Sequence, residues 1–369
     1  MDKLLNSFDT WLKDEGPAAL VLREHLLPVE GSDGVLFPAT FASGDGFPGG
    51  YNIDRFPGGT SICLVDSVGS QANRIEPLFK QKEYAGLVPQ VVIKAGPKRV
   101  NLLEAGHRAG DAIVRCSALQ KELQEAFKAV LKGNAEPLAK IAPTSIVFGA
   151  WDSRDTQAKL PRLIASTIRA FNVRELTRSA QYVPATEYVT EGLLAEPADK
   201  QTKDAYAVRG FIHVPASSSH GGVIADGGIR RDASLHLAAL RLLTAGKDEQ
   251  TTLALRRYIL GLALTAFTYP ASGYLRQGCN LVLDPDKAPE FKEVYGNGER
   301  KEATLKHSEV LAYAKAAAKD FALDPEREID YRVPPDQEVE FDKDLAKADV
   351  ADDGVPKTRK PKKGGAVKP

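Results

Sequence analysis

Several protein classes are excluded by what this chain lacks. Its 369 residues hold three cysteines, Cys63, Cys116 and Cys279, none in C-x-x-C spacing. Neither a disulfide framework nor a cysteine zinc site is expected, and the count fits a reducing, cytoplasmic setting. There is no G-x-x-x-x-G-K-[ST] phosphate loop, no G-x-S-x-G nucleophile turn and no H-E-x-x-H. The six histidines are scattered, so neither a metal site nor a cofactor is expected. The longest apolar run, "YILGLALTAFTY" (258–269), is too short to span a bilayer and follows Arg256 and Arg257. It reads as a buried core helix, and no membrane partner is expected. Acids interrupt the opening "MDKLLNSFDTWLKDEG", which is not expected to be a signal peptide. Its Leu4, Leu5, Phe8, Trp11 and Leu12 share one helical face that would dock on the core or on a neighbour.

The chain also lacks net charge: 49 bases balance 49 acids. The balance is uneven along its length. Residues 324–353 hold twelve acids against four bases, and 354–369 ("GVPKTRKPKKGGAVKP") hold six bases and no acid. Residues 1–323 therefore stand near +2 and form one elaborated domain. The basic end is too polar to pack and reads as a disordered tail, either simply solvated or an arm for a polyanion.

What is present is an irregular alternation of strands and helices. The segment 31–60 is loop-like, with FPGG at 47–50 and again at 56–59. Strands are expected at 60–67 ("TSICLVDS"), 88–96, 144–153 ("TSIVFGAWDS"), 180–190, 206–216 and "CNLVLDP". Helices are expected over 107–133, along a stripe of Leu160, Leu163, Ile164, Ile168 and Phe171, and at about 232–245, 250–268 and 303–321. The strands flanking "EGLLAEPADKQTKDA" suit a long hairpin or a flexible excursion. The pattern is α+β, one central sheet with long insertions.

Two phrases echo each other: "VDSVGSQANR" (65–74) and "DSRDTQAK" (152–159). Each follows an apolar run, and Pro77 and Pro161 limit any helix that follows. Both are expected at strand–helix junctions. Ser67, Ser70, Gln71, Asn73 and Arg74 in the first, and Ser153, Arg154, Gln157 and Lys159 in the second, carry the groups that hold phosphates without reading sequence. The plainer reading is two unrelated helix caps. Asp66 and Asp152, as strand-end carboxylates, would either cap helices or bind magnesium for phosphodiester cleavage. A third cluster, "GGVIADGGIRRDASLHLAALR" (221–241), places Arg230 and Arg231 after paired glycines and before an expected helix start.

With "LTRSAQY", which contains Arg178, these segments resemble the CRISPR-associated RAMP-superfamily backbone subunit of type I-G (formerly I-U) effectors, the Cas-seven lineage. The resemblance covers about residues 35–285. It implies an RRM-like (ferredoxin-like) palm sheet with an inserted helical subdomain and a hairpin thumb, placed at 180–220. It implies a non-enzymatic, RNA-binding subunit that polymerises along CRISPR RNA in a helical Cascade filament, meets target DNA through the guide, and contacts its own copies and other effector subunits. In related subunits a Ser-Ser-Gln segment followed by Lys/Arg residues at the first strand–helix junction grips the guide backbone. Ser70, Gln71 and Arg74 match, while Glu76 and Pro77 stand where a further basic residue is expected. The rival function is a metal-dependent ribonuclease subunit using Asp66 and Asp152.

Overall fold

The computed structural model describes residues 2–270, 273–322 and 337–352. The basic tail and residues 324–336 of the acidic stretch before it lie outside the described residues.

Among the described residues, eleven of the strands build the central sheet and its hairpin. In chain order they are β1 (Ala19–Pro28), β2 (Ile53–Arg55), β3 (Ser61–Asp66), β4 (Ile164–Phe171), β5 (Val173–Tyr182), β6 (Val214–Ala225), β7 (Ile229–His236), β8 (Tyr274–Arg276), β9 (Cys279–Leu283), β10 (Glu290–Val294) and β11 (Arg300–Glu302). Nine form one antiparallel sheet in the order β8-β9-β1-β7-β4-β3-β2, with β10 also on β1 and β11 on β10. β5 and β6 make a separate hairpin. Taken alone, β1, β4, β7 and β9 lie in the order fourth, first, third, second. That arrangement is compatible with an RRM-like, ferredoxin-like palm. The class is α+β.

Helices cover one face of this sheet. α1 (Val68–Ile75) follows β3 directly, and α2 (Gln120–Leu131) and α3 (Pro143–Phe148) belong to the helical insertion between β3 and β4. α4 (Lys200–Arg209) sits in the excursion between β5 and β6. α5 (Glu249–Thr268) is the apolar run seen in the sequence; Asp248 caps it by accepting from the amides of Gln250 and Thr251. α6 (His307–Ala322) packs on α5. Leu255, Leu260, Leu262 and Leu264 are all fully buried, each burial worth about 1.5–3 kcal/mol. The amino-terminal turns settle onto this core: Leu5, Trp11 and Leu12 are buried and Phe8 stacks on Trp11. Leu4 remains exposed.

Several elements differ from the sequence expectation. Residues 144–148 are helix, not strand, and only Ala150–Trp151 is extended. Pro143 starts this helix at its first turn, where a missing donor costs nothing, and Gly149 at φ 79° ends it. Thr144 to Phe148 are buried on every side, so no periodicity marks the helix. The expected helix over 160–171 is β4, the strand next to the sheet centre. Ile164, Ser166, Ile168 and Ala170 point into the core and their neighbours point away. The helix expected from 232 begins only at Leu237, because Arg231, Ala233 and Leu235 belong to the inward face of β7. The single helix over 107–133 is broken. Asp111 caps a new start at Ala112, and the buried Ser117 hydroxyl bonds the carbonyl of Val114 and the amide of Leu119. The hairpin runs 173–225 rather than 180–220, and residues 206–209 are helical. β1 has no counterpart in the sequence reading. Its inward face carries Glu24 among leucines.

Candidate nucleic-acid interface

The junction after β3 is organised from within. Ser67 is the cap of α1, accepting from the Ser70 amide at 3.2 Å. Asp66 is not a cap: it is 2% exposed and receives Gln71 Nε2 at 2.7 Å, Arg74 Nε at 3.1 Å and Arg276 Nη2 at 3.2 Å. A buried polar chain continues from there. Ser166 Oγ donates to Gln71 Oε1 at 2.9 Å and accepts from Arg231 Nε at 3.1 Å; Arg231 Nη1 then meets Glu24 Oε2 at 2.8 Å. A buried charge needs such partners, because leaving one unpaired costs several kcal/mol, on the order of 3–5. Gln71 and Arg231 are thus held inside, tying α1 to β4, β7 and β1. Ser70, Asn73 and Arg74 remain on the accessible side of α1, with Arg74 braced by Asp66.

The second phrase is a turn, not a strand–helix junction. Ala150–Trp151 pairs with Lys159–Leu160, and 152–158 closes the hairpin between them. Asp152 is buried and accepts from the Asp155 amide at 3.3 Å, the Thr156 amide at 2.9 Å and the Thr156 hydroxyl at 2.6 Å. Gln157 takes φ 61° and donates to the Ser153 carbonyl at 2.6 Å. Ser153, Arg154 and Lys159 are left exposed at the rim.

Tertiary folding brings the two phrases to one place. A cavity of about 720 Å³ is lined by Arg108, Arg115, Arg154, Lys159 and Arg162, with Trp151 at its edge. Arg108 bridges the phrases: its Nη2 donates to Asn73 Oδ1 at 3.2 Å and its Nη1 to the Gly149 carbonyl at 3.3 Å. Arg162 Nη2 lies 3.9 Å from the position a Cβ on Gly69 would take, so it reaches the start of α1. Its Nε is anchored on the Phe148 carbonyl at 3.0 Å, the end of α3. The buried Glu76 carboxylate lies 2.7 Å from Arg108 Nε. Burial pushes the Glu76 carboxyl up to about 7 and lowers Arg108; in both, loss of water outweighs the attraction of the partner. Arg115 is paired with Asp349, at 2.7 Å, with Asp155 at 3.9 Å.

The remaining predicted residues lie elsewhere. Arg230 is on the sheet face opposite Arg231, paired with Asp232 at 2.8 Å and 4.7 Å above the Phe171 ring. Arg230 and Arg231 therefore flank no helix start. Arg178 stands exposed on the hairpin, 6.0 Å from the Phe37 ring. The sequence reading missed Arg108, Arg115, Arg162 and Trp151. A tryptophan two residues before a run holding Ser153, Arg154, Gln157 and Lys159, with a further arginine three residues beyond it, was the available signal.

Residues 20–175 match the family model of the CRISPR-associated protein GSU0053. The matched stretch runs from β1 into β5 and contains α1, the helical insertion and every residue lining the basic cavity. The match supports a role in CRISPR systems. No curated protein matches the chain. Among the described residues no helix is long and apolar enough to cross a membrane.

Proposed function

We propose that the chain is a non-enzymatic backbone subunit of a type I-G CRISPR effector, binding CRISPR RNA by its phosphates and polymerising along it. The observation that carries this reading is the basic cavity, where the exposed Arg154, Lys159 and Arg162 converge near the accessible face of α1, backed by the ion-paired Arg108 and Arg115. Guanidinium, ammonium, hydroxyl and amide groups hold a phosphate backbone and leave base edges free, as guide-directed recognition requires. The palm-like sheet and the CRISPR-associated family match agree with it. The β5–β6 hairpin takes the part of a thumb, and Tyr182, Val183, Leu193 and Val208 are exposed in its distal portion. Target DNA would be met through the guide, and further copies and other effector subunits along the filament.

Co-expression with a CRISPR array tests this: the protein should carry RNA of guide length in multimers, and an RNA-free monomer overturns the proposal. Arg154→Ala with Arg162→Ala should weaken RNA retention and reduce the salt slope by about 0.7 for each single-strand phosphate no longer neutralised. An unchanged slope removes the cavity from the RNA path. The nuclease reading draws on Asp66 and Asp152, and each of these carboxylates already accepts three hydrogen bonds from within the fold.

A further inference from the structure

We propose that Trp151 is a stacking platform that receives one unpaired base of a single-stranded nucleic acid at the mouth of the basic cavity. The inference rests on the reading of that cavity as a nucleic-acid site and narrows its ligand to a strand whose bases are free. The chain has two tryptophans. Trp11 is 7% exposed and its Nε1 donates to Glu293 at 2.9 Å, so it is a core residue with its polar atom satisfied. Trp151 is 57% exposed, an uncommon position for the largest apolar ring in the chain.

Its placement is rigid rather than incidental. Trp151 is one half of a two-residue strand pair whose cross-strand partner is Lys159. The Lys159 ammonium lies 5.5 Å from the indole centroid. The following turn is locked by the buried Asp152, and the preceding Gly149 carbonyl is held by Arg108. An indole so fixed loses little entropy when a base stacks on it. Cations around it, Arg154, Lys159 and Arg162, are placed for the phosphates on either side of that base. This pairing of an aromatic face with a basic groove is the chemistry of single-strand binding, and a duplex, whose bases are already stacked, cannot use it.

The full chain is titrated with a ten-nucleotide oligouridylate, with the same oligomer carrying abasic sites, and with duplex RNA, following tryptophan fluorescence and filter retention. Because Trp11 is buried, a fluorescence change reports Trp151. The oligouridylate should change the emission; the abasic strand should bind more weakly and leave it unchanged. Trp151→Ala should weaken oligouridylate binding about 5- to 150-fold, the range of one base stack, and Trp151→Phe should restore most of it. If the oligouridylate binds without a fluorescence change and the abasic strand binds equally well, the platform is overturned while the cavity reading stands. If no strand binds at all, the cavity reading falls and this inference with it. The uridylate-versus-abasic comparison uses the unaltered protein, so it decides the matter even if Trp151→Ala does not fold.

Discussion

Glu76 and Arg108 set the terms of the site at the scale of single residues. Burial holds the Glu76 carboxyl near 7, well above the usual carboxylate range, so the folded chain binds this proton more tightly than the unfolded chain. Its contribution to stability is therefore complete below the unfolded value near 4.5 and is lost as pH rises through about 7, each unit of displacement being worth about 1.4 kcal/mol. Glu76→Gln, which resembles the protonated form, should melt close to the unaltered protein at pH 5 and lose less between pH 5 and 8. Melting curves at four pH values check it; equal losses in both proteins would mean that Glu76 does not titrate in this window. Such a pair was hard to anticipate, because Glu76 is separated from Arg108 by more than thirty positions and stands where the resemblance implies a basic residue.

The decisive element is the small hairpin that follows α3. Gly149 joins them at φ 79° and ψ 147°, a region nearly closed to other residues. A Cβ there would stand 2.8 Å from Arg162 Cγ and 3.1 Å from the Leu160 carbonyl. Gly149→Ala should cost about 1–3 kcal/mol in urea unfolding and also reduce RNA retention, since the clash moves Arg162 and the strand carrying Trp151. An alanine variant of unaltered stability and retention would show that this junction is less constrained than its geometry. The sequence presented the same glycine inside "TSIVFGAWDS", an unbroken apolar run. Length and composition there fit a strand as well as a helix, and only the complete burial of 144–148 among other helices separates the two.

At the scale of the whole molecule, the fold hangs on α5, which is covered by α6 as well as by the sheet. At Gly261 the two helices approach closely: a Cβ at that position would lie 2.9 Å from Ala314 Cα. Gly261→Val should destabilise the chain by about 1–3 kcal/mol through overpacking, with the loss read in the denaturation midpoint and RNA binding retained once the variant is folded. A stable variant would mean that α6 can shift to make room. Charge is also managed globally. In the described part of the acidic stretch, Glu338 pairs with Lys94 and Arg99 and Asp349 with Arg115, so these acids meet bases of the insertion between β3 and β4. A net charge of zero thus coexists with a concentrated basic cavity.

The sequence by itself determined the α+β class, the strands at 61–66 and 279–283, the long helices α5 and α6, and the residue types gathered in the two echoing phrases. These were legible because each has the length, period or turn chemistry of one structure only. Tertiary structure decided what those phrases do. It drew Gln71 and Arg231 into a buried chain with Ser166 and Glu24, made a turn of the second phrase, and carried Arg108, Arg162 and Trp151 to the same cavity. The reason is physical. Apolar runs buried on all sides carry no periodicity, and a polar side chain is assigned to core or surface by the partners that packing brings to it. Those partners lie as much as 210 residues away, so no local pattern records them.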